Sequence, residues 1–305
     1  MNELKGQASL GIAAGLLTIC IWASWLLSMR YGQQSSLSTY ELAILRYGCA
    51  ALVLWPVLIR HLPSYLCVKK RYLLGICCGA GLPFFFLSSQ GMAYGLAADA
   101  GLLITGTFPI FVGIIAAVFY REPLNHSKVV GLAAIAAGVV VLVARSLWAG
   151  QQESLIGYGF FLGASVCWAL FTISLRVSGL SPWAGAALLC CVSSVVLLML
   201  LPFTDAVPFA SASFADLSHQ MFVQFLCVGI VTGFSYAYAV RSLGAEATSA
   251  IGALTPVLVA IGGYWLLGES LTPTMLVGLV LISLGVFVAS GVLRALHMRL
   301  ISSPA

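Results

Sequence analysis

The chain has 305 residues, of which 61% are hydrophobic and only 8% charged, and its formal net charge is +5. Soluble domains carry about 25% charged residues because their surface must be solvated, so this composition excludes a water-soluble globular protein and indicates that lipid is the solvent. The positive charge would favour a nucleic-acid partner only in a soluble chain, and none is expected here.

Ten apolar stretches follow one another along the chain, each about as long as the roughly 20 residues that a helix needs to cross the hydrocarbon. They lie at about residues 8–29, 40–60, 72–94, 97–119, 127–145, 155–178, 182–202, 220–242, 245–268 and 272–293. The first is too long for a signal peptide and lacks a small-residue cleavage site, so we expect it to be retained. The sequence therefore predicts an all-α integral membrane protein of ten transmembrane helices whose partner is the lipid bilayer. The connection 203–219 is expected to lie along the membrane interface.

Lys and Arg residues are distributed unevenly between the two sides of the predicted helices. With the N-terminus on the inner side, the outer connections hold only Arg30 and Arg145 of the 14 Lys and Arg residues, and Arg46 lies within a helix. The others fall on the inner side: Lys5, Arg60, Lys69, Lys70, Arg71, Arg121, Lys128, Arg176, Arg241, Arg294 and Arg299. Positive residues stay on the cytoplasmic side, so the pattern predicts a multi-pass protein of the cell (plasma or inner) membrane with both termini cytoplasmic.

The sequence repeats itself with a period of about 147 residues. At that shift Asp99 matches Glu246, Pro109 matches Pro256, Glu122 matches Glu269, and Gly131 and Gly138 match Gly278 and Gly285. A shift of 146 places Trp22 on Trp168 and Arg30 on Arg176. The pattern predicts two repeats, 1–148 and 149–305, of five helices each. Because five is odd, the second repeat crosses the membrane in the opposite direction, as in many carriers whose substrate site lies between inverted repeats.

Two features of the sequence resemble a known family. The segment from Leu45 to Leu54 reads L-R-Y-x-x-A-A-L-V-L, and each repeat has a segment that runs from a mid-helix proline to a glutamate. These features resemble EamA-type carriers of the drug/metabolite transporter superfamily, over nearly the whole chain and both repeats. The resemblance implies a ten-helix metabolite exporter, with aromatic and other amino acids among the substrates of relatives. The second repeat departs from the first at Arg46, whose approximate equivalent is Leu189.

The matched prolines Pro109 and Pro256 each fall near the middle of a predicted helix. Proline cannot donate the backbone hydrogen bond to residue i−4, and a carbonyl freed at this depth must face protein, water or ligand. We therefore predict helix breaks at both prolines and another at Pro83, with substrate-binding groups around them. These groups are Thr105, Thr107 and Phe108 in the first repeat, Ser249 and Thr255 in the second, and Gln90 after Pro83. The alternative is a kink that serves packing alone.

Aromatic residues complete the predicted site. Trp22 and Trp168 occupy the same place in the first helix of each repeat, and Tyr236 and Tyr238 lie on the inverted counterpart of the third helix. With the hydroxyl and amide groups they would form an aromatic pocket of the kind that binds small-molecule substrates. The alternative for each ring is contact with lipid or with the protein core.

Ionisable residues inside a membrane are costly and therefore mark function or pairing. Glu41 and Arg46 lie five residues apart in the second helix, so they face different directions and are poor mutual partners. Arg46 is predicted to tether helices, with gating or recognition of a substrate carboxylate as the alternative. Four further acids stand at helix ends: Asp99, Glu122, Glu246 and Glu269. They are predicted to be caps or ion pairs, which leaves proton coupling, sodium coupling and facilitated diffusion all open.

Patterns typical of catalysis or of metal binding are missing from the sequence. The four histidines lie in loops or at helix ends without metal-ligand spacing, and the nine cysteines form no C-x-x-C pair. We therefore expect no enzyme activity, metal or cofactor. The sequence favours a secondary transporter, independent of ATP, that exports small neutral or zwitterionic metabolites such as amino acids by alternating access, as a monomer or homodimer. A carrier of a drug cation, a nucleotide sugar or a sugar phosphate is the alternative.

Overall fold

The computed structural model describes residues 2–204 and 207–292, with side chains from residue 9 onward. In these ranges the chain is helical without strands; nine helices are long and apolar enough to cross a membrane, and a tenth apolar helix is shorter. In chain order they are α1 (Ser9–Gly32), α2 (Thr39–Arg60), α3 (Lys70–Tyr94), α4 (Ala97–Tyr120), α5 (His126–Trp148), α6 (Gln152–Ser178), α7 (Pro182–Phe203), α8 (Phe214–Leu243), α9 (Ala245–Leu267) and α10 (Pro273–Ala289). The predicted all-α architecture of ten helices is confirmed. Arg294, Arg299 and the side chain of Lys5, on which part of the predicted orientation depends, lie outside the described residues.

The three predicted helix breaks are present. Regular helix is interrupted at residue 81 in α3, at 106–107 in α4 and at 253–254 in α9. Pro83, Pro109 and Pro256 each occupy the first or second position of the helical segment that resumes after the break, where the missing N–H of proline costs no hydrogen bond. The breaks in α4 and α9 fall at equivalent positions of the two repeats, so each of these helices consists of two half-helices.

The fifth helices of the two repeats, α5 and α10, pack against each other along their glycines. Gly131 of α5 faces the backbone of Gly285 and Ala289, whereas Gly138, further along α5, faces Gly278. A Cβ atom at Gly131 would lie 2.6 Å from the carbonyl oxygen of Gly285, so a larger residue does not fit. Residue numbers rise along α5 as those of the contacted residues in α10 fall, so the two equivalent helices run antiparallel.

Two more interfaces join the repeats, α1 with α8 and α3 with α6. Partners follow in opposite order along the paired helices: Thr18 with Ser235 and Trp25 with Gln224 between α1 and α8, and Gly75 with Ser174 and Gly91 with Phe161 between α3 and α6. Both interfaces are therefore antiparallel. Since α1 and α6 are the first helices of their repeats, and α3 and α8 the third, the two interfaces are equivalent and lie on either side of a common centre.

Helix α8 begins earlier than the sequence predicts, at Phe214 rather than near residue 220. Ser213 caps it by accepting a hydrogen bond from the backbone N–H of Asp216 at 3.1 Å. The carboxylate of Asp216 accepts in turn from the hydroxyl of Tyr31 at 2.8 Å and from both the N–H and the hydroxyl of Ser36. The connection expected along the interface is therefore shorter than predicted, and its helical end is tied to the α1–α2 connection.

Glu41, predicted as an intramembrane charge, lies in the first turn of α2 and caps that helix. Its carboxylate accepts from the N–H of Ser38 at 2.6 Å and from the Ser38 hydroxyl at 2.7 Å. It also accepts from the N–H of Phe209 in the α7–α8 connection. Glu41 is thus committed to helix capping and to holding that connection.

Candidate functional site

A continuous series of ring contacts runs through the centre of the molecule, and we call its five members the aromatic chain. In order of contact they are Trp25, Phe84, Trp168, Trp22 and Tyr236, with centroid distances of 5.5, 5.2, 6.4 and 5.6 Å between successive rings. The rings come from α1, α3, α6 and α8, the same helices that form the two equivalent interfaces between the repeats. The structure therefore brings together Trp22, Trp168 and Tyr236 of the predicted site, and adds Trp25 and Phe84.

Exposure changes along the aromatic chain. Trp25 and Phe84 are buried, Trp22 and Trp168 are half-buried, and Tyr236 is 44% exposed. Tyr236 lies in the last third of α8, whereas Trp25 lies in the last third of α1, and these two helices are antiparallel. The chain of rings thus begins in the closed interior near one end of the bundle and becomes accessible toward the other.

Two glutamines of α8 fix the buried end of the aromatic chain. Gln224 accepts from the indole N–H of Trp25 at 3.0 Å and donates to Gln220 at 3.2 Å, and Gln220 also accepts from the hydroxyl of Ser28 at 2.9 Å. Both glutamines are fully buried. A buried polar network satisfied in this way holds one arrangement of its side chains, so Trp25 is held by its edge as well as by stacking.

Around the break in α4, the hydroxyl groups bond to the protein itself. Thr105 donates to the carbonyl oxygen of Gly101 at 2.6 Å. The hydroxyl oxygen of Thr107 lies 2.6 Å from the carbonyl oxygen of Leu103 and 2.9 Å from the hydroxyl oxygen of Ser165 in α6, and its single proton can be donated to either. These bonds satisfy both threonines within α4 and its contact with α6, so neither belongs to the aromatic chain.

A cavity of about 240 Å³ opens between the second half of α4 and the first half of α9. Phe108 and Pro109 line it on one side, and Glu246 and Ser249 line it on the other, with Lys128 of α5 nearby. Thr255 follows the break in α9 and corresponds to Phe108 at the shift of 147 residues. It is fully buried, and its hydroxyl has no hydrogen-bond partner in the described part of the chain. Phe108 and Ser249 thus share a cavity that is separate from the aromatic chain.

Two ion pairs join the repeats crosswise. Arg30 at the end of α1 pairs with Glu269 after α9 at 3.6 Å between Nε and Oε1, and Arg176 at the end of α6 pairs with Glu122 after α4 at 2.6 Å between Nη2 and Oε1. Arg30 is equivalent to Arg176, and Glu269 is equivalent to Glu122, so the pairs are related by the repeat. Because α1 and α6 cross in opposite directions, the pairs lie at opposite ends of the bundle, here called the Arg30 end and the Arg176 end.

The equivalent pairs have different surroundings. At the Arg30 end the side chains are 22% and 4% exposed, and at the Arg176 end they are 50% and 41% exposed. Glu269 also accepts from the backbone N–H groups of Ala97 at 2.7 Å and Ala98 at 3.2 Å, at the start of α4. Arg30 donates in addition to the carbonyl oxygen of Met92 in α3. The ion pair at the Arg30 end is therefore the more buried of the two, and the cavity between α4 and α9 lies toward the Arg176 end.

The profile of the EamA-like transporter family matches residues 9–144 and again residues 155–291. The chain belongs to this family. The two matches confirm the predicted resemblance, and they bear out the presence of two related units in the chain. Membership in a family of transporters assigns this EamA-family protein to membrane transport.

Several relatives cover most of the chain. A probable terminal-alkyne amino-acid exporter of Streptantibioticus cattleyicolor is 28% identical over 89% of this chain and 90% of its own length. An uncharacterized transporter of Archaeoglobus fulgidus is 27% identical over 89% of this chain and 95% of its own, and one of Bacillus subtilis is 24% identical over 74% and 75%. A solved crystal structure with 18% identity covers 93% of this chain and 98% of its own, with a TM-score of 0.62, and therefore shares the fold.

Two predicted site residues of this EamA-family protein lie apart from both the aromatic chain and the cavity. Gln90 is exposed and Tyr238 is 42% exposed, and neither takes part in the ring contacts or the hydrogen bonds that join the aromatic chain. Conversely, Gln220 and Gln224 were not predicted as site residues from the sequence. Their spacing of four residues in an apolar helix, which places two amides on one face, is the signal that could have found them.

Proposed function

We propose that this EamA-family protein is a secondary transporter that exports small neutral or zwitterionic metabolites, such as amino acids, by alternating access. The observation that supports this best is the difference between the two equivalent ion pairs, one buried and one exposed. Two equivalent gates in unequal states are what a carrier needs if each end closes in turn around a central site.

The second state follows from exchanging the roles of the two ends. Glu122 would then bond the backbone N–H groups of residues 244 and 245 at the start of α9, as Glu269 now bonds those of Ala97 and Ala98. The cavity between α4 and α9 would close, and the matching space at the Arg30 end would open. Because each state breaks and makes the same kinds of contact, the two states are close in free energy and no ATP is needed to interconvert them.

The orientation we propose makes the Arg176 end cytoplasmic, because the predicted inner connections hold most of the Lys and Arg residues. The protein then lies in the cell (plasma or inner) membrane with both termini inside, and the state described here is open to the cytoplasm. An exporter loads its substrate in that state. The two repeats, 1–148 and 149–305, would move relative to each other within one chain, either alone or in a homodimer.

The substrate class is inferred from the surfaces of the site. Among the described residues, no ring contact or hydrogen bond of the aromatic chain involves a carboxylate, which disfavours a drug cation. A sugar phosphate or nucleotide sugar would be expected to meet several Lys or Arg residues, whereas a single guanidinium, that of Arg46, contacts these rings. A neutral or zwitterionic molecule with an apolar part fits best, and the relative from Streptantibioticus cattleyicolor, named as a probable amino-acid exporter, supports amino acids.

The test is transport by purified protein in liposomes without ATP. We expect preloaded unlabelled amino acid to drive uptake of the same labelled amino acid by exchange, for at least one member of a panel of neutral amino acids. Measurements with and without a pH gradient separate proton coupling from facilitated diffusion. Protein-free liposomes are the control. Exchange of a nucleotide sugar, a sugar phosphate or an organic cation, with none for any amino acid, would contradict the proposed substrate class.

A further inference from the structure

Arg46 is a buried cation with unused hydrogen-bond donors. Arg46 is 9% exposed, and its Nε and Nη1 atoms are buried without any hydrogen-bond partner in the described part of the chain. Buried guanidinium groups normally meet a carboxylate or several carbonyl oxygens, because burial of an unpaired charge is strongly unfavourable. The side chain is therefore prepared for a partner that the surrounding helices do not supply.

The acids of α2 and α8, two helices that pack against each other around Arg46, already have hydrogen-bond partners. Glu41, one and a half turns earlier in α2, accepts from Ser38 and from the backbone of Phe209. Asp216, in the first turn of α8, accepts from Tyr31 and Ser36. An ion pair with either acid therefore does not satisfy the guanidinium of Arg46.

The position of Arg46 connects it with the aromatic chain. Its guanidinium carbon lies 4.9 Å from the ring centroid of Trp25, the first ring of that chain, and 5.5 Å from the ring centroid of Tyr47. The hydroxyl of Tyr47 donates to the carbonyl oxygens of Ala80 and Gly81 at the break in α3, which fixes that ring. The cation therefore stands at the buried end of a series of rings whose other end is accessible.

We propose that Arg46 binds the carboxylate of the transported molecule. This rests on the proposed function, and it names the chemical class: a carboxylate with an apolar or aromatic side chain, which includes the neutral amino acids. The unpartnered Nε–H and Nη1–H groups of the guanidinium can each donate to a carboxylate oxygen, in the charge-assisted hydrogen bonds that arginine forms with carboxylates, while the rings beyond Trp25 contact the side chain of the substrate. The carboxylate is then required for binding, whereas a substrate amine, which meets no acid here, contributes little.

The tethering role predicted from the sequence gives a different expectation for thermal stability. If Arg46 held helices together, removing its charge would lower the melting temperature of the protein without ligand. If it awaits a ligand, Arg46→Gln removes an uncompensated charge, and the melting temperature of the ligand-free protein stays the same or rises. The effect of a ligand on that temperature is lost only in the second case.

The experiment measures melting temperature and tryptophan fluorescence of the purified full-length protein with L-phenylalanine, L-phenylalaninamide, phenylpropionate and inorganic phosphate. For the wild type we expect both carboxylates to bind at least tenfold more tightly than the amide, and phosphate to bind no better than the amide. Arg46→Gln should abolish this preference, and Arg46→Lys, which keeps the charge but loses the planar guanidinium and its fixed donors, should weaken carboxylate binding about tenfold. Arg60→Gln, at the exposed end of the same helix, is the matched control and should behave as the wild type.

Three results would overturn the inference: equal binding of the acid and the amide by the wild type, a carboxylate preference that survives in Arg46→Gln, or a lower melting temperature of Arg46→Gln with ligand binding kept. The same ligands in the liposome assay separate this inference from the proposed function. Carboxylate-dependent binding without any transport contradicts the function alone. Transport of the amide as fast as the acid contradicts the role of Arg46 alone.

Discussion

The two ends of the molecule are built from the same residue types at equivalent positions, yet one ion pair is buried and the other is exposed. In the proposed mechanism the first is the closed end and the second is the open end. The shorter ion pair, Arg176 with Glu122 at 2.6 Å, is at the open end, and the longer pair, Arg30 with Glu269 at 3.6 Å, is at the closed end. Formation of the ion pair is therefore not what closes an end. The closed end differs because Glu269 also bonds the backbone N–H groups of Ala97 and Ala98, where the α4 helix dipole favours a negative charge.

We therefore predict that an end closes when its glutamate accepts hydrogen bonds from the backbone N–H groups at the start of a helix. The ion pair with arginine then only orients that glutamate. An exposed ion pair contributes at most about 1 kcal/mol, so the Arg176 pair can form and break while that end remains open. A buried carboxylate with an ion pair and two backbone donors is much harder to release.

The largest effect is expected at the shared site between the two ends, from Trp168→Ala. If both ends alternate around one site, loss of the ring that joins Phe84 to Trp22 should abolish transport from either side, while membrane insertion stays near wild type. Liposome uptake and efflux measure both directions. Tyr238→Ala, which changes an exposed ring outside the aromatic chain, is the control and should transport normally. Transport by Trp168→Ala in one direction at the wild-type rate would contradict a shared site.

The next largest effect is expected from Glu269→Ala. Removing one partner of a buried ion pair costs about 3 kcal/mol or more, so the Arg30 end should open and the N–H groups of Ala97 and Ala98 should lose protection. Hydrogen–deuterium exchange of the peptide at the start of α4 measures this, and we expect at least a tenfold faster exchange. Unchanged exchange there would show that Glu269 does not hold the end closed.

Glu122→Ala, at the equivalent position, should have a smaller effect on the same measurement. Its side chain is 41% exposed, so the loss in this state is below about 1 kcal/mol and exchange at the start of α4 stays near wild type. Transport should nevertheless fall as far as in Glu269→Ala, because the Arg176 end must close once in every cycle. A normal transport rate for Glu122→Ala would break the equivalence of the two ends.

The smallest effects are expected from the acids at the helix starts, Asp99 and Glu246. Asp99 is buried and accepts from the backbone N–H of Leu96 at 3.2 Å, so Asp99→Ala should lower the free energy of unfolding by about 1 kcal/mol, as loss of a helix cap does. Glu246 is exposed, so Glu246→Gln should change the free energy of unfolding by less than about 0.5 kcal/mol. Thermal melting of both variants measures the difference, and equal losses would contradict it.

The repeat and its breaks could be predicted from the sequence because they are local. Pro109 and Pro256 lack the N–H that a mid-helix hydrogen bond needs, which is a covalent property of the residue, and a single shift in residue number aligns both repeats. The same shift predicted that Glu122 and Glu269 are equivalent and that each is a cap or a partner in an ion pair. Both form ion pairs in the structure.

What the sequence missed depends on contacts between distant segments. The early start of α8 follows from hydrogen bonds between Asp216 and Ser36, which lie 180 residues apart. Gln90 was expected in the site because of its chemistry, but it shares a helix face with Pro83 and Tyr94, and that face is exposed. Helical periodicity places these three residues on one face, whereas no local pattern shows that one of the two equivalent ion pairs is buried and the other exposed.

The difference between Arg46 and Leu189 limits how the two halves of the gene could have diverged. Helices α2 and α7 pack along each other, and Leu189 is buried in α7 at the approximate equivalent of Arg46. Two copies of the first repeat assembled as an antiparallel dimer would bring two uncompensated guanidinium groups into this same interface. A chain with two unlike halves avoids that repulsion, because an apolar residue, Leu189, lies where the second guanidinium would otherwise be.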